Sequence, residues 1–166
     1  MQISHDPSFD AAFDELFAVA ERMACRVAGP AAAADVAAEV MGRTFARWPR
    51  VKELPYRRAW VARVAFNEAL DVARRQRRAV ATVVREGVGS DPAEDATTRI
   101  ELNDQVAKLP RRQREVIALR YLADLTEADV ASVLGISVGA VKQHARRALA
   151  TLRVRLDVDT VLGRQE

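Results

Sequence analysis

The segment 126–152 constrains the fold more tightly than any other part of the chain. Thr126 stands three residues before an aspartate, a spacing that fits a capping box at the start of a short helix. Gly135 follows this helix, and glycine can take the left-handed conformation of a tight turn without a Cβ clash. Ser137 suits the N-cap of a second helix. Two short helices around a glycine turn predict a helix-turn-helix, with helices over 127–134 and 138–152.

The second helix of this motif is predicted to present a polar and basic face. Its apolar positions (Val141, Ala145, Ala148 and Leu152) fall on one side, and the opposite side carries Lys142, Gln143, Arg146, Arg147 and Arg153. Such a helix can enter the major groove of DNA and contact base edges, while arginines bind phosphates. A solvated corner of an ordinary all-α protein could show the same pattern, so the motif alone leaves both interpretations open. The helix predicted before it, over 111–122 with Pro110 in its first turn, adds phosphate-binding charge through Arg111, Arg112, Arg114 and Arg120.

The remaining sequence also shows mainly helical patterns. Apolar side chains at helical spacing predict helices over 8–28, 31–47, 56–78 and from Ile100 to about Leu109. The segment 48–55 is predicted to be a loop, because prolines lie near both of its ends and each disfavours the helical region for the residue before it. No sustained apolar period occurs in 79–100, which contains Gly87, Gly89 and Pro92 and is predicted to be a flexible linker. The predicted fold is therefore all-α, with two small helical domains (1–78 and 101–156), the linker 79–100 and a short tail, 157–166.

The distribution of charge agrees with two separate anion-binding surfaces. The net charge of the whole chain is only +3. Residues 57–78 carry seven basic and two acidic side chains, and 108–156 carry ten basic and four acidic ones. The segment between them, 79–107, has two basic and six acidic side chains. Two basic blocks separated by an acidic one are typical of a chain with two nucleic-acid-binding modules.

Enzymatic chemistry has little support in the sequence. The histidines, His5 and His144, lie far apart, and there is no glycine-rich phosphate loop, metal-ligand cluster or nucleophile–base pair. We therefore expect no catalytic residue, metal or cofactor. Cys25 stands alone and fits a small buried side chain better than a reactive thiol. Neither a signal peptide nor an apolar run long enough for a membrane span is present, so we expect a cytoplasmic protein.

Four stretches together resemble one protein family, the extracytoplasmic-function (ECF) sigma factors of the sigma-70 family. Residues 109–121 (LPRRQREVIALRY) and 131–142 (ASVLGISVGAVK) are similar to region 4 of that family. Residues 35–40 (DVAAEV) resemble the acidic helix of region 2, and 58–71 (RAWVARVAFNEALD) resemble the promoter-melting helix of region 2. The resemblance covers roughly 8–156 and places both regions in the order that the family shows.

The resemblance implies a subunit of bacterial RNA polymerase that recognises promoters and initiates transcription. Region 2, here 1–78, would bind the clamp helices of the core polymerase and capture the non-template strand of the −10 element. Region 4, here 101–156, would recognise the −35 element as duplex DNA and contact the β flap. An anti-sigma factor is a further expected partner, because family members are commonly inhibited by one.

The same resemblance suggests a role for individual residues. A loop containing Arg50, Lys52 and Tyr56 would hold a flipped −10 base. A pocket for a flipped base needs polar groups that bind the base edge and a side chain that stacks on the base. Further contacts to the −10 element would come from Arg58, Arg63, Asn67, Arg74, Arg75 and Arg78. Contacts to the −35 element would come from Arg111, Arg112, Ser137, Val138, Lys142, Gln143, Arg146 and Arg147. The polymerase would be bound by Asp35, Glu39 and Arg43.

Simpler interpretations exist for several of these residues. Asn67 could be a solvated helix residue, and Trp60 fits the core better than a stack on DNA. The run 74–78 could be a favourable charge at a helix C-terminus, and Asp35 and Glu39 could form a solvated acidic face. Two departures from the family are His144, where relatives often have arginine, and Ala38, in place of a usual glutamine.

Two other protein classes share part of the pattern. A stand-alone helix-turn-helix regulator would use 108–156 and bind duplex DNA unaided, but would leave the basic helix 56–78 without a role. A helical adaptor that binds only proteins would need neither basic block.

Overall fold

The protein is described by a computed structural model that covers the backbone of 6–85 and 94–162 and the side chains of 6–81 and 101–156. All regular structure in those ranges is helical, which confirms the predicted all-α class. A single π-helical turn, Ala118–Leu122, directly continues α6. The helices are α1 (Pro7–Ala28), α2 (Pro30–Ala46), α3 (Trp48–Val51), α4 (Arg57–Arg85), α5 (Glu94–Ala107), α6 (Arg111–Ile117), α7 (Glu127–Leu134) and α8 (Val138–Leu162).

The first two helices begin and end on local signals that are visible in the sequence. Asp6 caps α1, and its carboxylate accepts a hydrogen bond from the Ser8 amide at 3.0 Å. Gly29 ends α1 with φ +91°, a value that L side chains rarely adopt, and its amide donates to the Cys25 carbonyl at 3.1 Å. Pro30 then occupies the first turn of α2, where its missing N–H costs nothing. The corner between α1 and α2 is therefore fixed by Gly29-Pro30.

The structure differs from the prediction on both sides of the third long helix. The segment 48–55 is not entirely a loop, because Trp48–Val51 forms one helical turn with Pro49 in the first turn, where proline is tolerated. Helix α4 runs to Arg85 and α5 begins at Glu94, so the expected linker is helical over 79–85 and 94–100. The absence of an apolar period does not by itself end a helix, because an α-helix can continue without burying a continuous face. The remaining linker residues, 86–93, lie outside the described part.

The helix-turn-helix forms as predicted. The Thr126 hydroxyl oxygen accepts from the Asp129 amide at 3.1 Å and thereby caps α7. Gly135 is left-handed, with φ +65° and ψ +39°. The Ser137 hydroxyl oxygen accepts from the Ala140 amide at 3.1 Å at the start of α8. Helix α8 continues past the predicted end at 152 to Leu162.

The helix before this motif is less regular than the sequence predicts. Only Arg111–Ile117 is α-helical, and the next five residues form the π turn, in which the Ala123 amide donates to the Ala118 carbonyl at 3.1 Å. Pro110 precedes the helix with extended backbone instead of lying in its first turn.

The helices form two groups that share one apolar core. We call α1–α4 the first helical group and α5–α8 the second helical group. Leu16 and Phe66 of the first group and Leu119 and Val130 of the second are all at most 1% exposed and belong to the same cluster. A smaller cluster lies within the second group, between α5, α6 and α8. We call the contact between the two groups the seam.

Candidate nucleic-acid interface

The outward face of α8 is open to solvent. Val141, Ala148 and Leu152 are buried against the second helical group, so the opposite face points outward. The predicted DNA contacts Lys142, Gln143, Arg146 and Arg147 are exposed, and so are Ser137 and Val138 at the start of the helix. Lys142 lies 3.6 Å from the Glu127 carboxylate. Among the described side chains, Arg146 and Arg147 have no acid within ion-pair distance. Within the described part of the chain, two guanidinium groups on one helix face therefore have no acidic partner.

The other two predicted −35 residues, Arg111 and Arg112, are differently placed. Their side chains are 72% and 45% exposed, yet both point back to the carboxylate of Glu115 on the same helix. The Arg112 Nη1 atom lies 3.2 Å from Oε2, and the Arg111 Nε atom lies 3.6 Å from Oε1. These two arginines are therefore accessible to an external anion, but each already pairs with the Glu115 carboxylate.

The α4 face holds most of the predicted −10 residues, and acids neutralise much of its charge. Arg58 pairs with Glu15 at 3.3 Å, Arg74 with Asp71 at 3.6 Å and Arg75 with Glu68 at 3.6 Å. Asn67 and Arg78 are exposed. Because α4 continues for seven residues beyond Arg78, the arginine run 74–78 does not end a helix, so a helix C-terminal charge does not explain it.

Two features of this face were not predicted. Arg77 pairs with Asp104 across the seam. Its pKa is lowered, mainly by burial and to a smaller extent by the positive charge of the neighbouring Arg74. Arg63 does not lie on the open part of the face at all, because its guanidinium is turned into the seam. The pKa of Arg114 on α6 is lowered for the same two reasons, mainly burial and, to a smaller extent, the charge of Arg74.

The predicted base-holding loop is tied to the start of α1. The Trp48 indole N–H donates to the Ser8 hydroxyl at 2.8 Å, and Lys52 lies 3.6 Å from the Asp6 carboxylate. Hydrogen bonds from Ser8, with a smaller effect of Lys52, lower the pKa of Asp6. Arg50 is exposed and Tyr56 half-buried, whereas Trp60 packs on the core as expected. Arg50, Lys52 and Tyr56 thus all lie in one short segment of the chain, 50–56.

The predicted polymerase-binding face is exposed on α2. Asp35 and Glu39 point to solvent. Arg43 bridges two helices: its Nε atom lies 3.0 Å from Glu39, and its Nη1 atom lies 2.8 Å from Glu68 on α4. One acid, Glu68, therefore connects the α2 face with Arg75 on the α4 face.

Glu115 is the residue that sequence reasoning missed. It is 1% exposed and lies in the seam, where it pairs with Arg63 of α4 at 3.1 Å. Its pairing with Arg111 and Arg112 could have been expected from their spacing of four and three residues. Its burial and its distant partner have no signal in the sequence, because an acid within a run of arginines resembles a solvated position.

Two further findings concern metal binding and membrane crossing. Within 6–85 and 94–162, no group of three His, Cys, Asp or Glu side chains lies close enough together to bind a metal ion. Among the described residues, no helix combines the length and the apolar character that crossing a bilayer requires.

Comparison with known proteins agrees with this geometry. The family model described as "Sigma-70, region 4" matches residues 99–152. The RNA polymerase sigma-E factor of Streptomyces coelicolor is 33% identical over 134 residues, which cover 76% of this chain and 75% of that protein. The chain belongs to the ECF sigma factors of the sigma-70 family. It is thus an RNA polymerase sigma factor, a class of protein that directs promoter recognition and transcription initiation.

The sigma factor is also similar to proteins of lower sequence identity. The ECF sigma factor SigW of Bacillus subtilis is 28% identical, and the match covers 58% of this chain and 60% of SigW. In fold, the sigma factor is similar to CnrH solved with the cytosolic domain of CnrY, with a TM-score of 0.62 at 22% identity over 94% of this chain and 92% of that one. RpoE of Bartonella quintana, solved with the anti-sigma factor NepR, gives 0.59 at 21% identity over 93% and 99%.

Proposed function

We propose that α8 of this sigma factor recognises the −35 element as duplex DNA. The observation that carries the proposal is the open face of α8, held outward by the capped turn at Gly135. Arg146 and Arg147 would contact base edges or phosphates, and beside them would lie Lys142, Gln143, Ser137 and Val138. Arg111 and Arg112 would bind phosphates and so position the DNA backbone.

We propose further that the first helical group binds the −10 element and the polymerase. Asn67 and the exposed arginines of α4 would contact the melted strand, and the loop with Arg50, Lys52 and Tyr56 would hold a flipped base. Asp35 and Glu39 on α2 would bind the clamp helices, with Arg43 between them and α4. These roles divide the chain as the sequence suggests, into 1–78 and 101–156.

The proposed role also defines the setting of the protein. The partners would be core RNA polymerase, through the clamp helices and the β flap, and promoter DNA. An anti-sigma factor is a further proposed partner, supported by the similar RpoE that was solved with NepR. The sigma factor would act in the cytoplasm and contribute no catalytic residue or cofactor, because the polymerase performs the chemistry.

Run-off transcription tests the proposal. Core polymerase, the full chain and a library of genomic promoter fragments should give specific transcripts, and none without the chain. Asn67→Ala should reduce those transcripts, whereas Arg22→Ala, an exposed arginine on α1 with no assigned role, should not. If the chain bound duplex DNA alone but never supported transcription with the core enzyme, a stand-alone regulator would be the better assignment.

A further inference from the structure

Glu68 lies on α4 between two arginines that belong to different surfaces. Its side chain is only 14% exposed, so the carboxylate is largely buried. The Oε2 atom lies 2.8 Å from Nη1 of Arg43 on α2, and the Oε1 atom lies 3.6 Å from Nη2 of Arg75 on α4 itself. One carboxylate therefore pairs with a proposed polymerase contact through one oxygen and with a proposed −10 contact through the other.

The pair between Glu68 and Arg43 is the tighter of the two. A separation of 2.8 Å is typical of a charge-assisted contact between a guanidinium and a carboxylate. The Nε atom of Arg43 also donates to Glu39 at 3.0 Å. Glu39 is on the same helix as Arg43 and is 57% exposed, so it cannot fix the arginine relative to α4. Glu68 provides the contact that does so, and through Arg43 it also orders Glu39.

This order affects how readily a partner can bind the α2 face. Arginine and glutamate side chains have many rotamers, and a partner that binds them must fix one. A side chain that is already held in place loses less conformational entropy on binding, which increases affinity. Arg43 and Glu39 both belong to the proposed polymerase-binding face. We therefore expect the Glu68 carboxylate to strengthen core binding through Arg43.

The pair between Glu68 and Arg75 has the opposite consequence for DNA binding. The two groups are 3.6 Å apart, and the arginine side chain is 62% exposed. A pair this exposed is weak, and a DNA phosphate would compete with the carboxylate for the same N–H donors. Glu68 therefore reduces, by a modest amount, the attraction of Arg75 for the −10 strand.

We propose that Glu68 is a positioning residue of this sigma factor, which orders Arg43 for the polymerase and restrains Arg75 from DNA. Neutralising the carboxylate weakens core binding and strengthens −10 binding. A residue that only supported the packing of α2 on α4 would instead weaken both when altered. The inference rests on the proposed function, because it uses the polymerase and −10 roles that are assigned there to Arg43 and to the arginines of α4.

The test compares Glu68→Gln with Asp71→Asn, which removes the same charge one turn further along α4. Asp71 is 62% exposed and pairs with Arg74 on its own helix. On immobilised core polymerase, biolayer interferometry should show that Glu68→Gln binds about two- to tenfold more weakly, the cost of ordering one long side chain. Asp71→Asn should bind as the unaltered chain does. With core polymerase saturated by chain, both variants should bind −10 single-stranded DNA more tightly, by up to about fivefold.

Second substitutions test whether Glu68 acts through the two arginines. In an Arg43→Ala background, Glu68→Gln should no longer change the affinity for core polymerase. In an Arg75→Ala background, it should no longer change the affinity for −10 DNA. Urea denaturation verifies that every variant is folded at the temperature of the binding measurements.

Three results would overturn the role of Glu68. These are equal core affinities of the Glu68→Gln and Asp71→Asn chains, a loss of core affinity that persists in the Arg43→Ala background, and weaker binding of both polymerase and DNA by folded Glu68→Gln. A failure of the proposed function would look different, because the unaltered chain would then neither bind core polymerase nor give run-off transcripts.

Discussion

Helices α4 and α8 each carry several arginines, but their charges are not equally available. On α8, Arg146 and Arg147 are exposed with no acid within ion-pair distance among the described side chains. On α4, Arg74, Arg75 and Arg77 are each paired with an acid, and Arg63 is held by the buried Glu115. A guanidinium that must first leave a carboxylate gains less from a phosphate than one that is only hydrated. The contrast therefore concerns which acids the fold places nearby, and not the arginines themselves.

The largest effect is expected on the open helix. Arg146→Ala and Arg147→Ala should each cost about 1–3 kcal/mol of −35 duplex binding, about five- to 150-fold in affinity. Fluorescence anisotropy at several salt concentrations measures the loss. Arg22→Ala removes the same charge from α1 and serves as the control. Equal affinities for the Arg147→Ala and Arg22→Ala chains would remove Arg147 from the interface.

The left-handed turn at Gly135, which precedes α8, can be tested through its effect on stability. Gly135→Ala should destabilise the protein by about 1–2 kcal/mol, because alanine is strained at φ +65°. Gly42→Ala in the middle of α2 should instead stabilise it by about 0.5–1 kcal/mol. A Cβ at either position meets no atom within 4 Å apart from the adjoining backbone, so comparing the two variants separates the cost of backbone strain from that of crowding. Urea denaturation provides both values, and the same sign for both would contradict the turn geometry.

A smaller effect is expected when one of the acids that pair with the arginines of α4 is removed. Asp71→Asn removes the acid beside Arg74, whose pair is largely exposed at 42% and 62%. Exposed pairs contribute about 0.2–1 kcal/mol, so binding of −10 single-stranded DNA by holoenzyme should tighten up to about fivefold. Asp14→Asn on α1 is the charge-matched control. If Asp71→Asn weakened binding, the arginines of α4 would need Asp71 for their positions.

The smallest effect is the pH-dependent contribution of the Asp6 cap of α1 to the stability of the protein. Hydrogen bonds from Ser8 lower the pKa of Asp6, so the folded protein favours the carboxylate. The resulting stability is present above the ordinary aspartate pKa of about 3.9 and is lost as the pH falls through the lower folded-state value. The stability difference between the unaltered chain and Asp6→Ala should therefore be larger at pH 7 than at strongly acidic pH. Urea midpoints measure it, with Asp14→Ala controlling for the lost charge; a constant difference would argue against the cap.

Much of the fold is readable from local chemistry. Helices α1 and α2 begin within one residue of their predicted starts, and α7 matches throughout, because caps, glycine turns and first-turn prolines act within four residues. The ends of α4 and α8 were placed too early, since helices can continue without a buried face. The π turn after Ile117 also has no local signal, because its ladder depends on how the second helical group packs.

The sequence by itself determined the helical class, the helix-turn-helix and the positions of the arginines on each helix. Only the tertiary structure decided which of those arginines are open. The bonds from Arg63 to Glu115 and to the Val133 carbonyl join residues 52 and 70 positions apart. Such pairs form only when two helical groups bury a common core, and burial is what turns an ordinary glutamate into a strong anchor for three arginines.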